Sequence, residues 1–293
     1  MSDPEPLAAL REAILDRFPH LADETFDLSP HGWDSLAVDV GGRLIFKFPR
    51  HEAALGRLRK EAAILAAIRP QVAMPVPDLT LIETGPRPFS RHDKLVGDDL
   101  TPEAYAALSE AGKDRVGEQL ARFYADLHAL DPAPLRALGV GPIGPWLGPE
   151  AIARVALPLL PGALRGPAEA AIAAWADLPP DPHGETWGFF DGHGWNMAFD
   201  AAAERLNGVY DFGDSGFGAL HQEFIYSNLV SFDLTERIAA AYERLACRDL
   251  DRARIHLLTG IHALSEFAEN APDHVEAGIA RIGRWAAAGK VQR

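Results

Sequence analysis

The residues best suited to chemistry lie in one stretch, Phe189-Phe190-Asp191-Gly192-His193-Gly194-Trp195-Asn196, followed by Gly208-Val209-Tyr210-Asp211-Phe212-Gly213-Asp214. An aspartate, an amide five residues later and a second aspartate at the end of a short apolar run form the inventory that phosphoryl transfer requires. One carboxylate orients and deprotonates an attacking hydroxyl. The amide oxygen and the other carboxylate hold Mg²⁺, which offsets charge on phosphate oxygens. Hard oxygen donors suit that ion, whereas zinc would need histidine or cysteine spacing, which is absent. Taken singly, Asp191 could cap a helix or sit in a turn and Asp211 could make an Asx turn. The argument rests on the set. His193, between two glycines, reads as a hydrogen-bonding scaffold residue, with a general base as the alternative.

A second group is Lys47 with Glu61. In Arg43-Leu44-Ile45-Phe46-Lys47-Phe48, strand alternation puts Leu44, Phe46 and Phe48 on one face, Ile45 and Lys47 on the other. On the helix that follows, Leu58, Ala62 and Leu65 mark the buried stripe, and Glu61 falls on it. A buried carboxylate needs a partner, and Lys47 is one element away. An ammonium held in this way can grip phosphates. A third, weaker signal is the turn Gly32-Trp33-Asp34-Ser35, whose backbone amides could approach phosphate oxygens.

The elements that must position these groups follow from periodicity. Residues 5–18 read as an amphipathic helix. Strands are expected at 25–28, 36–40 and 43–48, the last two joined through Gly41-Gly42. A helix over 52–68 stops at Pro70, and two more strands fall at 78–83 and 89–96. Beyond Gly97 helical periods dominate, at 102–109, 114–129, 149–159, 165–177 and from about 220 onward. The interval 186–212 instead holds two strand-like runs flanking polar loops. The fold class is therefore α+β. A small antiparallel sheet with one main helix, after an N-terminal helix, spans residues 1–96, and a larger helical lobe with the catalytic hairpin spans 97–293.

The 293 residues are 47% hydrophobic, enough for a large core, with a single cysteine, Cys247, and hence no disulfide framework. The net charge of −14 argues against nucleic acid and anionic membranes as main partners. No stretch is long and apolar enough to span a bilayer, and the acidic N-terminus is unlike a secretory signal, so the expected location is cytoplasmic. Residues 1–93 carry net −3 and the remainder net −11. Two readings stay open: general solubility, or an acidic surface presented to a cationic substrate.

With these residues assembled, the chain resembles the aminoglycoside phosphotransferase family, relatives of protein, choline and homoserine kinases. The resemblance covers roughly residues 23–245. It rests on Gly-Trp-Asp-Ser at 32–35, Phe-Lys-Phe-Pro-Arg at 46–50, Lys-Glu-Ala at 60–62, Leu-Ala-Arg-Phe-Tyr-Ala-Asp-Leu-His-Ala-Leu at 120–130, the Asp191–Asn196 loop and Asp211-Phe-Gly-Asp. It implies a bilobal kinase-like fold and an ATP- or GTP-dependent, Mg²⁺-requiring transfer to a small-molecule hydroxyl, with nucleotide expected between the lobes. By position, Asp191 resembles the catalytic base, Asn196 and Asp211 the metal ligands, Lys47 the phosphate-gripping lysine and Glu61 its partner. Ser35 resembles a residue of the loop over the phosphates. Ile45, with the 93–96 segment containing Lys94 and Val96, resembles the surroundings of the nucleotide base. Asp214, Glu223 and Asp233 are the carboxylates expected near an aminoglycoside-like or other cationic polyol. A choline, ethanolamine, homoserine or sugar kinase and an inactive nucleotide-binding module are the alternatives. The expected state is a monomer or weak homodimer. Two departures stand out. The family's His-Gly-Asp is here Phe189-Phe190-Asp191, and its Ala-Gly-x-Gly-Asp-Pro is here Ser215-Gly216-Phe217-Gly218-Ala219-Leu220.

Overall fold

A computed structural model describes residues 7–29, 35–85, 87–270 and 274–291. The chain begins with α1 (Leu7–Arg17), β1 (Phe26–Ser29), β2 (Ser35–Val40), β3 (Leu44–Pro49), α2 (Glu52–Ile68), β4 (Thr80–Ile82) and β5 (Phe89–Asp93). It continues through α3 (Pro102–Ala106), α4 (Glu110–His128), α5 (Pro132–Ala137), α6 (Pro149–Leu159), α7 (Gly162–Ala176) and β6 (Glu185–Gly188). It ends with β7 (Met197–Asp200), β8 (Arg205–Val209), β9 (Gly216–Ala219), α8 (Phe232–Ala246), α9 (Arg252–Asn270) and α10 (Val275–Val291). These elements gather into two compact units, each discontinuous in sequence. One holds residues 1–100, 129–140 and 195–213, the other 101–128, 141–194 and 214–293.

The first unit is built on a five-stranded antiparallel sheet in the order β1-β2-β3-β5-β4. Gly41 and Gly42 both have positive φ, 63° and 65°, the conformation that the β2–β3 hairpin demands and other residues resist. Alternation puts Leu36, Val38, Val40, Leu44, Phe46, Phe48 and Phe89 on one face, buried against Leu10 and Ile14 of α1. The other face is left for Ile45 and Lys47. The α2 helix is capped by the His51 imidazole, which accepts from the Ala54 N–H at 3.1 Å, and ends two residues before Pro70 as expected. The β7–β8 hairpin joins this unit through the Asp98–Phe199 bridge, where Gly97 (φ 152°) runs too close to the Phe199 backbone to carry a side chain.

The second unit is helical around one short sheet, β6 paired with β9. Its core packs Ile152, Ile172, Ile261, Leu264, Phe267, Ile282 and Trp285 from α6, α7, α9 and α10. The antiparallel sheet followed by helices matches the α+β reading, with three local differences. Helix α4 starts four residues before the expected 114, because the Ser109 hydroxyl accepts the Gly112 N–H at 3.0 Å. Residues 220–229 wind as a 3₁₀ helix, not an α-helix. Strand β9 is glycine-rich, and a side chain at Gly218 would strike the Phe190 ring, so packing specifies this strand where propensity does not. Of the turn expected at 32–35, only Ser35 lies among the described residues.

Candidate active site

In the first unit the predicted ion pair is present. Lys47 Nζ lies 3.3 Å from Glu61 Oε1 and 3.5 Å from Asp211 Oδ1. Burial alone would lower the lysine pKa, but the charges of Glu61 and Asp211 outweigh it, so the ammonium is held protonated. Glu61 is itself buried and also accepts the Phe212 N–H at 3.2 Å. One carboxylate thereby fixes both the lysine and the backbone following Asp211, which has a positive φ of 68°. The β7–β8 ladder pairs Met197 with Val209, and the Asn196 carbonyl accepts the Tyr210 N–H at 3.0 Å. That hairpin brings Asn196 and Asp211 to one end although they are far apart in sequence.

The remaining residues expected around a nucleotide lie in the same unit. Ile45 is half-buried and faces His92 across β3–β5, while Ser35 opens β2 opposite Pro49. Lys94 gives its ammonium to Asp39 at 2.6 Å and its N–H to the Arg43 carbonyl at 2.8 Å. Val96 presents an exposed side chain, and its carbonyl accepts from Asn207. Ser90, paired opposite Lys47, and His92, paired opposite Ile45, are both buried in β5.

In the second unit, β6 leads into Phe189-Phe190-Asp191. His193 Nε2 is 3.1 Å from Asp191 Oδ1, and the His193 N–H returns to the Asp191 carbonyl at 2.8 Å. The scaffold role read for His193 thus has a specific object, the carboxylate itself. The loop is braced from below by Glu223, a fully buried carboxylate that accepts the N–H groups of Phe189 and Phe190 at 3.0 and 2.8 Å. Phe190 has φ 52°, which explains why the related motif carries glycine there. His128 Nε2 lies 3.4 Å from Glu223, and its Nδ1 lies 2.8 Å from the Tyr242 hydroxyl. An imidazole that donates from Nε2 to the carboxylate and accepts at Nδ1 from the phenol satisfies this chain of contacts. Tyr124 packs its hydroxyl against Gly192, leaving no room for a side chain there.

These contacts revise the expectation for the acidic trio. Glu223 is sealed in the interior and spends both oxygens on the Phe189 and Phe190 backbone, so it cannot face a substrate. Asp233 accepts from the Tyr105 hydroxyl at 2.6 Å and pairs with Arg237 at 2.9 Å; Arg237 also engages Glu110 and Asp114. Asp214 and Asp233 are both exposed, Asp233 with its carboxylate already engaged by Arg237.

Together these features define an α+β protein of kinase-like architecture with carboxylate, amide and lysine groups suited to phosphoryl transfer. The sequence model of the phosphotransferase enzyme family (APH) matches residues 28–256, and the chain belongs to that family, whose members are small-molecule kinases. Its fold is similar to that of the GDP complex of wild-type aminoglycoside 2'-phosphotransferase-IIIa, with a TM-score of 0.82 and 20% identity over 97% of this chain and 100% of that one. Macrolide 2'-phosphotransferase MphH from Brachybacterium faecium has a TM-score of 0.64 and 19% identity over 95% of this chain and 98% of that one. The streptomycin–ATP–APH(2")-IIa ternary complex has a TM-score of 0.64 and 15% identity over 96% and 97% respectively. No curated protein sequence matches significantly.

Proposed function

We propose that this enzyme transfers the γ-phosphoryl group of ATP or GTP to a hydroxyl of a small molecule, with the sheet unit serving the nucleotide and the helical unit the acceptor. The observation that carries the proposal is the buried Lys47–Glu61 pair joined to Asp211, which keeps an ammonium fixed where phosphate oxygens need a counter-charge. Ser35, Ile45, Lys94 and Val96 border the nucleotide in this reading. Neighbouring structures that contain GDP or ATP support either donor.

Asn196 and Asp211 would hold Mg²⁺. The described residues contain no cluster of three or more histidine, cysteine or acidic ligands. That donor set fits an ion that takes one or two protein oxygens and completes its shell with phosphate and water. When bound, it offsets negative charge on the transferring group. Asp191 takes the proton as the acceptor O–H bond breaks. The acceptor oxygen bonds to phosphorus, and the bridging oxygen leaves with its electron pair on the nucleoside diphosphate. Neighbours named for aminoglycosides and a macrolide support a multiply hydroxylated acceptor. Of the three carboxylates behind the stronger claim of a cationic acceptor, Glu223 is buried and Asp233 is exposed but paired with Arg237.

The test is nucleotide consumption across a hydroxyl-compound panel. Asp191→Ala should lower kcat by about a thousandfold or more and leave nucleotide affinity within a few-fold. Near-full turnover by this variant would remove Asp191 from the chemistry.

A further inference from the structure

One face of the five-stranded sheet holds polar side chains that no ion pair accounts for. On the α1 side, Leu44, Phe46, Phe48 and Phe89 are packed into an apolar core. On the other side stand Ile45 and Lys47 of β3, with His92 and Ser90 of β5 directly opposite them. Residues paired across an antiparallel ladder project to the same face, so these four side chains share one surface. Lys47 has Glu61 and Asp211 as partners. Ser90 is fully buried, yet its hydroxyl has no hydrogen-bond partner among the described residues. His92 is 5% exposed and uses only one of its two ring nitrogens. Leaving a buried polar group unsatisfied costs about 1–3 kcal/mol, so unused capacity on one face marks a place for a polar ligand.

The single bond that His92 makes fixes its tautomer. Nδ1 lies 2.9 Å from the Asp93 carbonyl oxygen, which can only accept, so Nδ1 carries the hydrogen. Burial, reinforced by the positive charge of Lys47, holds the His92 pKa below the usual histidine value and keeps the ring neutral at pH 7. Nε2 is therefore a lone-pair acceptor, and no group among the described residues bonds to it. Two residues that border the nucleotide flank this ring, Ile45 across the ladder and Lys94 two positions further along the chain. Purine bases differ in the group they present at position 6. Adenine offers an amino group, a donor, and guanine a carbonyl oxygen, an acceptor. Against Nε2 the amino group completes a hydrogen bond, whereas the carbonyl sets two lone pairs against each other and leaves both unpaired.

We propose that His92 selects the base of the phosphoryl donor, its Nε2 accepting from the 6-amino group of adenine and disfavouring the 6-oxo group of guanine. The inference rests on the phosphotransferase reading of this sheet face and narrows the donor from ATP or GTP to ATP.

The experiment measures binding by calorimetry, with Mg²⁺ present, for ATP, purine riboside triphosphate, inosine triphosphate and GTP, so that no phosphate acceptor has to be known. The proteins are the wild type, His92→Leu and His92→Gln. Wild type should bind ATP roughly tenfold or more tightly than GTP. Purine riboside triphosphate, with no group at position 6, should fall between them. Inosine triphosphate, with the 6-oxo group but no 2-amino group, should match GTP. His92→Leu should weaken ATP about tenfold and change GTP by less than about threefold, bringing the two affinities together. His92→Gln, whose amide can turn either its oxygen or its N–H₂ toward the base, should accept both nucleotides about equally. A merely structural ring would weaken all four nucleotides alike and leave their order intact. GTP bound as tightly as ATP by the wild type, inosine triphosphate matching ATP, or an unchanged ATP:GTP ratio in both variants overturns the proposal. The wild-type series stands even where a variant fails to fold. Equal affinity for ATP and GTP, with turnover on a hydroxyl-compound panel, sinks the base selection alone. Selective ATP binding with no transfer to any hydroxyl sinks the phosphotransferase reading alone, and failure to bind any of the four nucleotides sinks both.

Discussion

Each unit contains a buried glutamate beside an aspartate of the candidate site, and the two solve the burial problem differently. Glu61 is balanced by a lysine and uses one oxygen for both Lys47 and the Phe212 N–H. Glu223 faces two peptide N–H groups and the His128 imidazole. Each braces a segment with a left-handed residue, Asp211 in one case and Phe190 in the other. The first arrangement couples a paired charge to the backbone. The second turns a carboxylate into a rigid clamp, since peptide donors cannot swing away. The comparison suggests that Glu61 tunes a charge and Glu223 fixes a shape.

The sharpest way to break this distinction is Glu223→Gln. The amide retains one acceptor but turns an N–H₂ toward a peptide donor, so stability should fall by about 2–4 kcal/mol. Chemical denaturation measures it, and a loss below the error of the fit would show that the clamp is not needed. A smaller effect is expected at the other glutamate. Lys47→Met and Glu61→Gln should each reduce turnover, and the double variant should lose less than the sum, with a coupling of about 1–3 kcal/mol. Strict additivity in kcat/KM would mean that the pair does not act as a unit. The smallest effect concerns Phe190. Both Phe190→Ala and Phe190→Gly remove the same buried ring, but glycine accepts positive φ, so it should be more stable than alanine by about 1 kcal/mol. Equal melting temperatures for the two would remove strain from the account of this loop.

The same contrast explains what could be read from the sequence. The Lys47–Glu61 pair was legible because its partners are side chains of opposite charge on elements with clear periodicity. The Asn196–Asp211 juxtaposition was legible as a motif, and the β7–β8 ladder supplies its geometry. Glu223 was misjudged because its partners are backbone N–H groups, which leave no trace in residue type. It therefore looked like one more carboxylate on an acidic surface. The surroundings of Asp233 were only half legible: its cation, Arg237, is four residues away, but the role of Tyr105 depends on packing over more than a hundred residues. Strand β9 and the start of α4 were set by a close glycine contact and one serine hydroxyl, details that periodicity does not register.

The threading of the chain has a consequence for biosynthesis. The sheet unit draws on residues 129–140 and 195–213 as well as the first hundred. Its last hairpin is tied down by the Asp98–Phe199 bridge and by Gly208 packed on the Pro75 carbonyl. A ribosome adding about 5–20 residues per second therefore releases the five strands seconds before the segment that completes their unit emerges. During that interval the nascent sheet lacks its closing piece, which makes this stretch of translation the natural moment for a chaperone to engage.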